Sequence, residues 1–275
     1  MVAQPAHSVH YNRLLHEASV MQAKGEVAAA LQAYDSAFAN VPWGIWSISE
    51  AADLALRTGD TARAINYIEL LYARGGEPLM AYSDHMNGLF TMRSQAAALD
   101  RARHAHTEWA AQADSVWIKA LLEMRELDQI DRSDEAVLLQ NDSINIQRLL
   151  KLTEERGYPS EARVGSSAGI VTLLFWHHWL ELKNAEAEHF WTLTEQAIDR
   201  GEVPPEYLCS FVDRGDFDAG KPMRYGTLLF YFHKKGNIQL IDREELNRNR
   251  ASVGLETIED FALVMELDLD AILAK

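Results

Sequence analysis

Four stretches of this chain gather residue types that bind anions or move protons. Near the C-terminus, Arg224-Tyr225-Gly226-Thr227 and Asn247-Arg248-Asn249-Arg250 place three guanidinium groups around a tyrosine and a glycine. Guanidinium forks grip carboxylates and phosphates with two hydrogen bonds, and a glycine lets a ligand approach backbone N–H groups. Upstream stand Asp128-Gln129-Ile130-Asp131-Arg132, Trp176-His177-His178-Trp179 and Asp213-Arg214. Folded around one cavity, Asp128, Gln129, Arg132, Asp213, Arg214, Gly226, Thr227 and Arg250 would bind a small anionic ligand. If the site is catalytic, His178 is the expected base and Tyr225 the acid or hydrogen-bond donor. Asp213 has two readings: it orients Arg250 and leaves Arg214 for the ligand, or it forms a buried structural ion pair. The arginines also have a plain reading, neutralisation of Asp242, Glu244 and Glu245.

Other patterns invite different chemistry and fail on spacing. Adjacent helical residues point about 100° apart, so His177 and His178 do not readily share one ion. His178 and Glu181 share a face, but His104 and His106 are not tied to them, and no H-E-x-x-H run exists. Cys209 is the single cysteine, which rules out an internal disulfide and a thiolate zinc cage, and it reads as a small buried hydrophobe. No metal site and no cofactor are therefore expected. Gly165-Ser166-Ser167-Ala168-Gly169 fits G-x-S-x-G in letters, yet the polar Pro159-Ser160-Glu161-Ala162-Arg163 before it supplies no strand. Helix capping by one of the serines is the simpler reading. Asp213, Asp216 and Asp218 lack the glycine and terminal glutamate of a calcium loop.

The elements that must position these residues follow from composition and periodicity. A chain of 275 residues with 48% hydrophobic content can build real cores, as one large or two modest domains. Its 41 Asp+Glu against 26 Lys+Arg give a net charge of −15, which repels phosphate backbones and anionic lipid. Nucleic acid and membrane are not expected partners. The first residues lack a charged start and an apolar core, and no stretch approaches ~20 apolar residues, so a cytoplasmic protein is expected.

A 34-residue period opens the chain. Ala18 recurs as Ala52, Gly25 as Gly59 and Ala30 as Ala64, while Tyr34 is matched by Ile68 and Pro42 closes the first unit. Small residues let paired helices approach, glycine permits the turn, and proline stops the second helix. The pattern resembles the tetratricopeptide repeat, a helix–turn–helix of this length, which implies a surface for a protein or peptide partner. A third copy is not expected: past Pro78 the turn glycine would fall at Arg93. Helical material from Ala81 to Leu127, with Trp109 and Trp117 near one face, is expected to cap the pair.

In the second half, Asn141-Asp142-Ser143 predicts a helix start, and Gly157-Tyr158-Pro159 its end. An apolar helix is expected after Gly165, another over 185–200, and capped helices after Asp242 and Thr257. Between them, Tyr225 to Phe232 and Ile238 to Ile241, joined by Lys234-Lys235-Gly236-Asn237, predict a β-hairpin. This order resembles a bacterial family catalogued as domain of unknown function 6624, over about Leu127 to Phe261. The residues that carry the resemblance are Asp128-Gln129 with Arg132, Asp142, Gly157, Pro159, Val164-Gly165, His178, Asp213-Arg214, Gly220-Lys221, Tyr225-Gly226-Thr227, and Arg250 with Val253-Gly254-Leu255. The family usually has glutamine where Met223 and Leu228 stand, and often at His177. The resemblance implies a site map and no activity. The expected fold is mainly α: a helical-repeat domain over 1–126, then a helical domain with one small hairpin over 127–275. The expected function is an interaction or accessory protein that holds a partner on its repeats and a small anionic ligand in a C-terminal pocket. The alternative is an acid–base enzyme acting on a polar or phosphorylated small molecule.

Overall fold

A computed structural model describes residues 6–76, 95–181, 184–232 and 238–273. These are mainly α-helical, and they divide into two compact units, Met1–Val41 with Pro204–Lys275, and Pro42–Val203. The expected boundary after residue 126 falls within the second unit.

The first unit begins with a helical hairpin, α1 (Ala6–Ala23) and α2 (Val27–Phe38). Ala18 and Ala30 are wholly buried where the helices meet, and Gly25 makes the turn at φ +79°. Tyr34 is buried and stacks on Phe38. The second unit opens with the same arrangement, α3 (Ile45–Arg57) and α4 (Thr61–Ala73), with Ala52, Ala64 and Ile68 buried and Gly59 at φ +81°. Both hairpins keep the 34-residue offset: α2 starts at Val27 and α4 at Thr61. Asp60 caps α4 by accepting the Arg63 N–H, and Glu161 takes the N–H groups of Gly44 and Ile45 at the start of α3.

Helix α5 (Ala96–Gln112) packs on α4. The expected cap is not one helix, because Ala113 is extended and Asp114 caps a new helix, α6 (Ser115–Asp128). Trp117 is fully buried in α6 and donates to the Gly157 carbonyl. Pro78, Arg93 and the first part of that stretch lie outside the described residues. The long α7 (Glu135–Arg156) starts at Glu135, not at Asn141, because Asp134 accepts the N–H groups of Ala136 and Val137. Asn141 and Asp142 consequently sit in mid-helix, on its buried face with Ile146, Leu149 and Leu150. A short α8 (Glu161–Val164) and a 3₁₀ turn over Gly165–Ser167 lead into α9 (Ala168–Glu181), and α10 (Ala185–Asp199) follows. No strand precedes Ser166, whose N–H bonds to the Gly75 carbonyl. Phe175 and Trp179 of α9 meet Phe190 and Trp191 of α10, with ring centroids 4.9 and 4.7 Å apart.

The first unit resumes with α11 (Cys209–Asp218), α12 (Leu229–Phe232), α13 (Arg243–Ser252), α14 (Ile258–Val264) and α15 (Leu269–Leu273). Asp242 and Thr257 cap α13 and α14 as expected. The β-hairpin does not form among the described residues. Leu229–Phe232 is a helical turn, and the remaining ladder contact is an isolated parallel bridge between Met223 and Leu240. A side chain competes for the backbone: the Asp213 carboxylate takes the N–H groups of Arg224, Tyr225 and Thr227, while Gly226 turns at φ +66°. The aromatic run behind them therefore cannot enter a ladder. Lys234-Lys235-Gly236-Asn237 lie outside the described residues. No described helix is long and apolar enough to cross a membrane.

Candidate functional site

Within the second unit, the last turn of α6, the middle of α7 and the middle of α9 bring five polar residues together. Asp128, 1% exposed, is the hub. Its Oδ1 lies 2.7 Å from His177 Nδ1 and accepts from Arg132 Nη1 at 2.9 Å, while Oδ2 accepts from Gln129 Nε2 at 2.5 Å. Arg132 reaches it because residues four apart share a helical face, and the same Nη1 also donates to the Asp128 carbonyl. Burial opposes ionisation of Asp128, but His177, Gln129 and Arg132 outweigh it and hold the carboxyl below its ordinary range.

Asp142 faces this hub from α7 and is 2% exposed. Its Oδ1 stands 3.9 Å from Arg132 Nη1, too far for a hydrogen bond, and its Oδ2 has no hydrogen-bond partner. Burial pushes the Asp142 carboxyl up, Arg132 offsets only part of that, and the neighbouring Asp128 charge adds to it. The flanking amides are structural: Asn141 Nδ2 donates to the Leu127 carbonyl and Asn145 Nδ2 to that of Met124, fastening α7 to the end of α6.

The two histidines part as their helical phase requires. His178 is fully buried, with Nδ1 3.2 Å from the Asp142 carbonyl and Nε2 2.9 Å from Asn184 Oδ1. Asn184 also caps α10, so His178 ties α7, α9 and the start of α10 together. Both its ring nitrogens are already engaged, so it has no free atom to offer a ligand. His177 is different: its side chain is 20% exposed, Asp128 holds Nδ1, and Nε2 makes no hydrogen bond among the described residues. The imidazole beside the hub is His177 rather than His178. Sequence reading gave His177 no role and treated Asp142 as a cap. The available signal was polar residues at 141, 142 and 145 in phase with apolar 146, 149 and 150, a buried face that carries polar groups.

The remaining expected residues belong to the first unit, where protein groups engage them. Asp213 is fully buried and accepts four hydrogen bonds, three from backbone N–H groups and one from the Thr227 hydroxyl at 2.8 Å. Burial pushes its carboxyl up and these donors pull it back part of the way. Arg250 is 1% exposed; Nη1 donates to the Tyr225 carbonyl and Nε to that of Glu256, both at 2.6 Å, and Nη2 lies 3.3 Å from Glu256 Oε1. Arg214 pairs with Asp218, Arg224 with Asp216 and Arg248 with Glu244. A Cβ on Gly226 would meet Ile258 at 2.9 Å, so this glycine serves close packing. Burial pushes the Tyr225 hydroxyl up to about 12, far from the range of a proton donor at neutral pH. His178 and Tyr225 belong to different units. Thus Asp128, Gln129 and Arg132 come together, whereas Asp213, Thr227 and Arg250 form a separate cluster that holds backbone.

Comparison of the chain with family models, with curated proteins and with solved structures finds no match.

Proposed function

We propose that this protein is an accessory protein that binds a small anionic ligand at Arg132 and His177, above the buried Asp128, and a protein or peptide partner on its helical hairpins. The site lies earlier in the chain than the arginine-rich C-terminal run. One observation carries the reading: Arg132 turns Nη1 inward to Asp128, while Nε and Nη2 make no hydrogen bond among the described residues and the side chain is 29% exposed. A carboxylate that fixes one edge of a guanidinium pre-orients the other edge for a bidentate anion. His177 Nε2, on a ring held by the same carboxylate, stands beside it as a second polar contact. The matching helix boundaries and buried alanines of the two hairpins support tetratricopeptide-like repeats, preceding a domain of the uncharacterised family 6624.

Titrating the protein with inorganic phosphate, followed by calorimetry, tests the ligand site. Binding should be lost in Arg132→Ala and weakened in Arg132→Lys, which keeps charge without the fork. Equal affinity in wild type and Arg132→Ala would sink the reading.

The 2.7 Å contact between Asp128 and His177 favours a second reading, acid–base chemistry on such a ligand with His177 in the place expected of His178. Turnover of a chromogenic phosphate ester should then vanish in His177→Gln. Activity that survives this change removes the enzymatic reading and leaves the binding one.

A further inference from the structure

The geometry points to a divalent transition-metal site formed by Asp128, Asp142 and His177. One ligand atom from each lies within 4.8 Å of the other two, and all three residues are held on helices. Two carboxylate oxygens and an imidazole nitrogen suit a first-row ion such as Zn²⁺ or Mn²⁺ better than Ca²⁺ or Mg²⁺, which favour all-oxygen sets. Two ligands on one ion with bonds of ~2.1 Å span at most ~4.2 Å. Rotation about the Asp142 side-chain bonds closes the small remaining gap.

Three acidic or imidazole groups in proximity do not by themselves make a site. The second observation is the state of Asp142: a 2% exposed carboxylate with Oδ2 unpartnered, beside a second buried carboxylate. A buried oxygen of this kind is unfavourable unless a cation or a proton joins it. Burial already pushes the Asp142 carboxyl up, as expected where the cation is missing. The surroundings also fit a metal's outer shell. Gln129 fixes the far oxygen of Asp128, and His178 bonds the Asp142 carbonyl. Arg132 is the resident competitor, with Nη1 on Asp128 Oδ1. An incoming ion takes that oxygen together with His177 Nδ1, whose proton leaves to solvent, and the partly exposed Arg132 side chain swings outward. The inference shares Asp128, Arg132 and His177 with the ligand reading above, but its distinguishing residue, Asp142, has no part in that reading.

Calorimetry of the chelator-stripped full chain with Zn²⁺ and with Mn²⁺ tests it. One equivalent should bind, Asp142→Asn and His177→Gln should each weaken binding by roughly tenfold or more, and Arg132→Gln should tighten it by removing the competing cation. Because Asp142→Asn acts in a buried place, a second readout uses Co²⁺: visible d–d bands should appear with wild type and be lost in His177→Gln, whose ring is partly exposed. Absence of binding by wild type, or affinity unchanged by both ligand substitutions, overturns the proposal. Phosphate binding that needs Arg132 and persists in chelator, with no metal bound, would overturn the metal site and leave the ligand reading intact. Metal binding without any phosphate binding would do the reverse.

Discussion

Asp213 shows what a buried carboxylate does when backbone donors surround it. Its four hydrogen bonds fix residues 224–227 from the far side of α11. An amide cannot replace it, because the –NH₂ would point at N–H donors. Asp213→Asn should therefore cost about 2–4 kcal/mol of unfolding free energy in urea. A loss below about 0.5 kcal/mol would show that the loop holds its shape without the carboxylate. Arg250 is the complementary case: two carbonyls and Glu256 satisfy a guanidinium that burial would otherwise drive to lose its proton. These residues stand where a sequence reader sees ligand-binding chemistry, since residue type alone does not say whether a polar group meets ligand or backbone. The cluster around Asp128 was half legible. Asp128, Gln129 and Arg132 are close in sequence, but His177 and Asp142 join them only because α7 and α9 pack together.

Glycines separate two kinds of element constraint. Gly25 turns at φ +79° with open space where a Cβ would go, so Gly25→Ala carries only backbone strain. About 1 kcal/mol is expected, seen as a small drop in Tm. Gly165 combines φ +57° with packing: an added Cβ would lie 2.5 Å from the Gly75 carbonyl oxygen and 2.8 Å from the Trp109 ring. Gly165→Ala should cost about 3 kcal/mol or more, or displace α8 from its neighbours. Similar Tm values for the two variants would contradict this account. The helix α7 teaches the same lesson about elements, since the Asp134 cap, placed earlier than the more conspicuous Asn141-Asp142-Ser143, turned those residues into part of a buried face.

At the scale of the molecule, the first unit is built from both ends of the sequence. Asn12 donates to the Val253 carbonyl, Arg13 to that of Ala251, and Lys24 pairs with Asp260. Removing residues 1–41 should abolish hydrogen-exchange protection in α13 and α14 while α9 and α10 stay protected; retained protection in α13 would refute this dependence. The same unit carries a pH-dependent ion network. Burial works against a charged ring at His16, yet Glu206 and Glu256 outweigh it and raise its pKa to about 10. Nδ1 lies 2.8 Å from Glu256 Oε2, with the side chain 27% exposed. A folded-state value above the ordinary ~6.5 means this stability is complete below pH ~6.5 and is lost as pH rises through about 10. The Tm of wild type should fall over that window more steeply than that of His16→Gln. Parallel slopes would show that the network does not couple to folding.

The sequence by itself determined the helical class, the two hairpins with their glycine turns, and the helices after Gly165, Asp242 and Thr257, because periodicity, caps and turn residues act over a few neighbours. It could not determine the hairpin that is missing at 225–232, since Asp213 reaches that backbone from another helix. Nor could it sort the polar residues into a buried clamp and a partly exposed cluster. Only the packing of α6, α7 and α9 decided that Asp128 meets His177, and only the return of the C-terminal segment to α1 decided where Glu256 finds its partner, because burial and pairing depend on residues far apart in the chain.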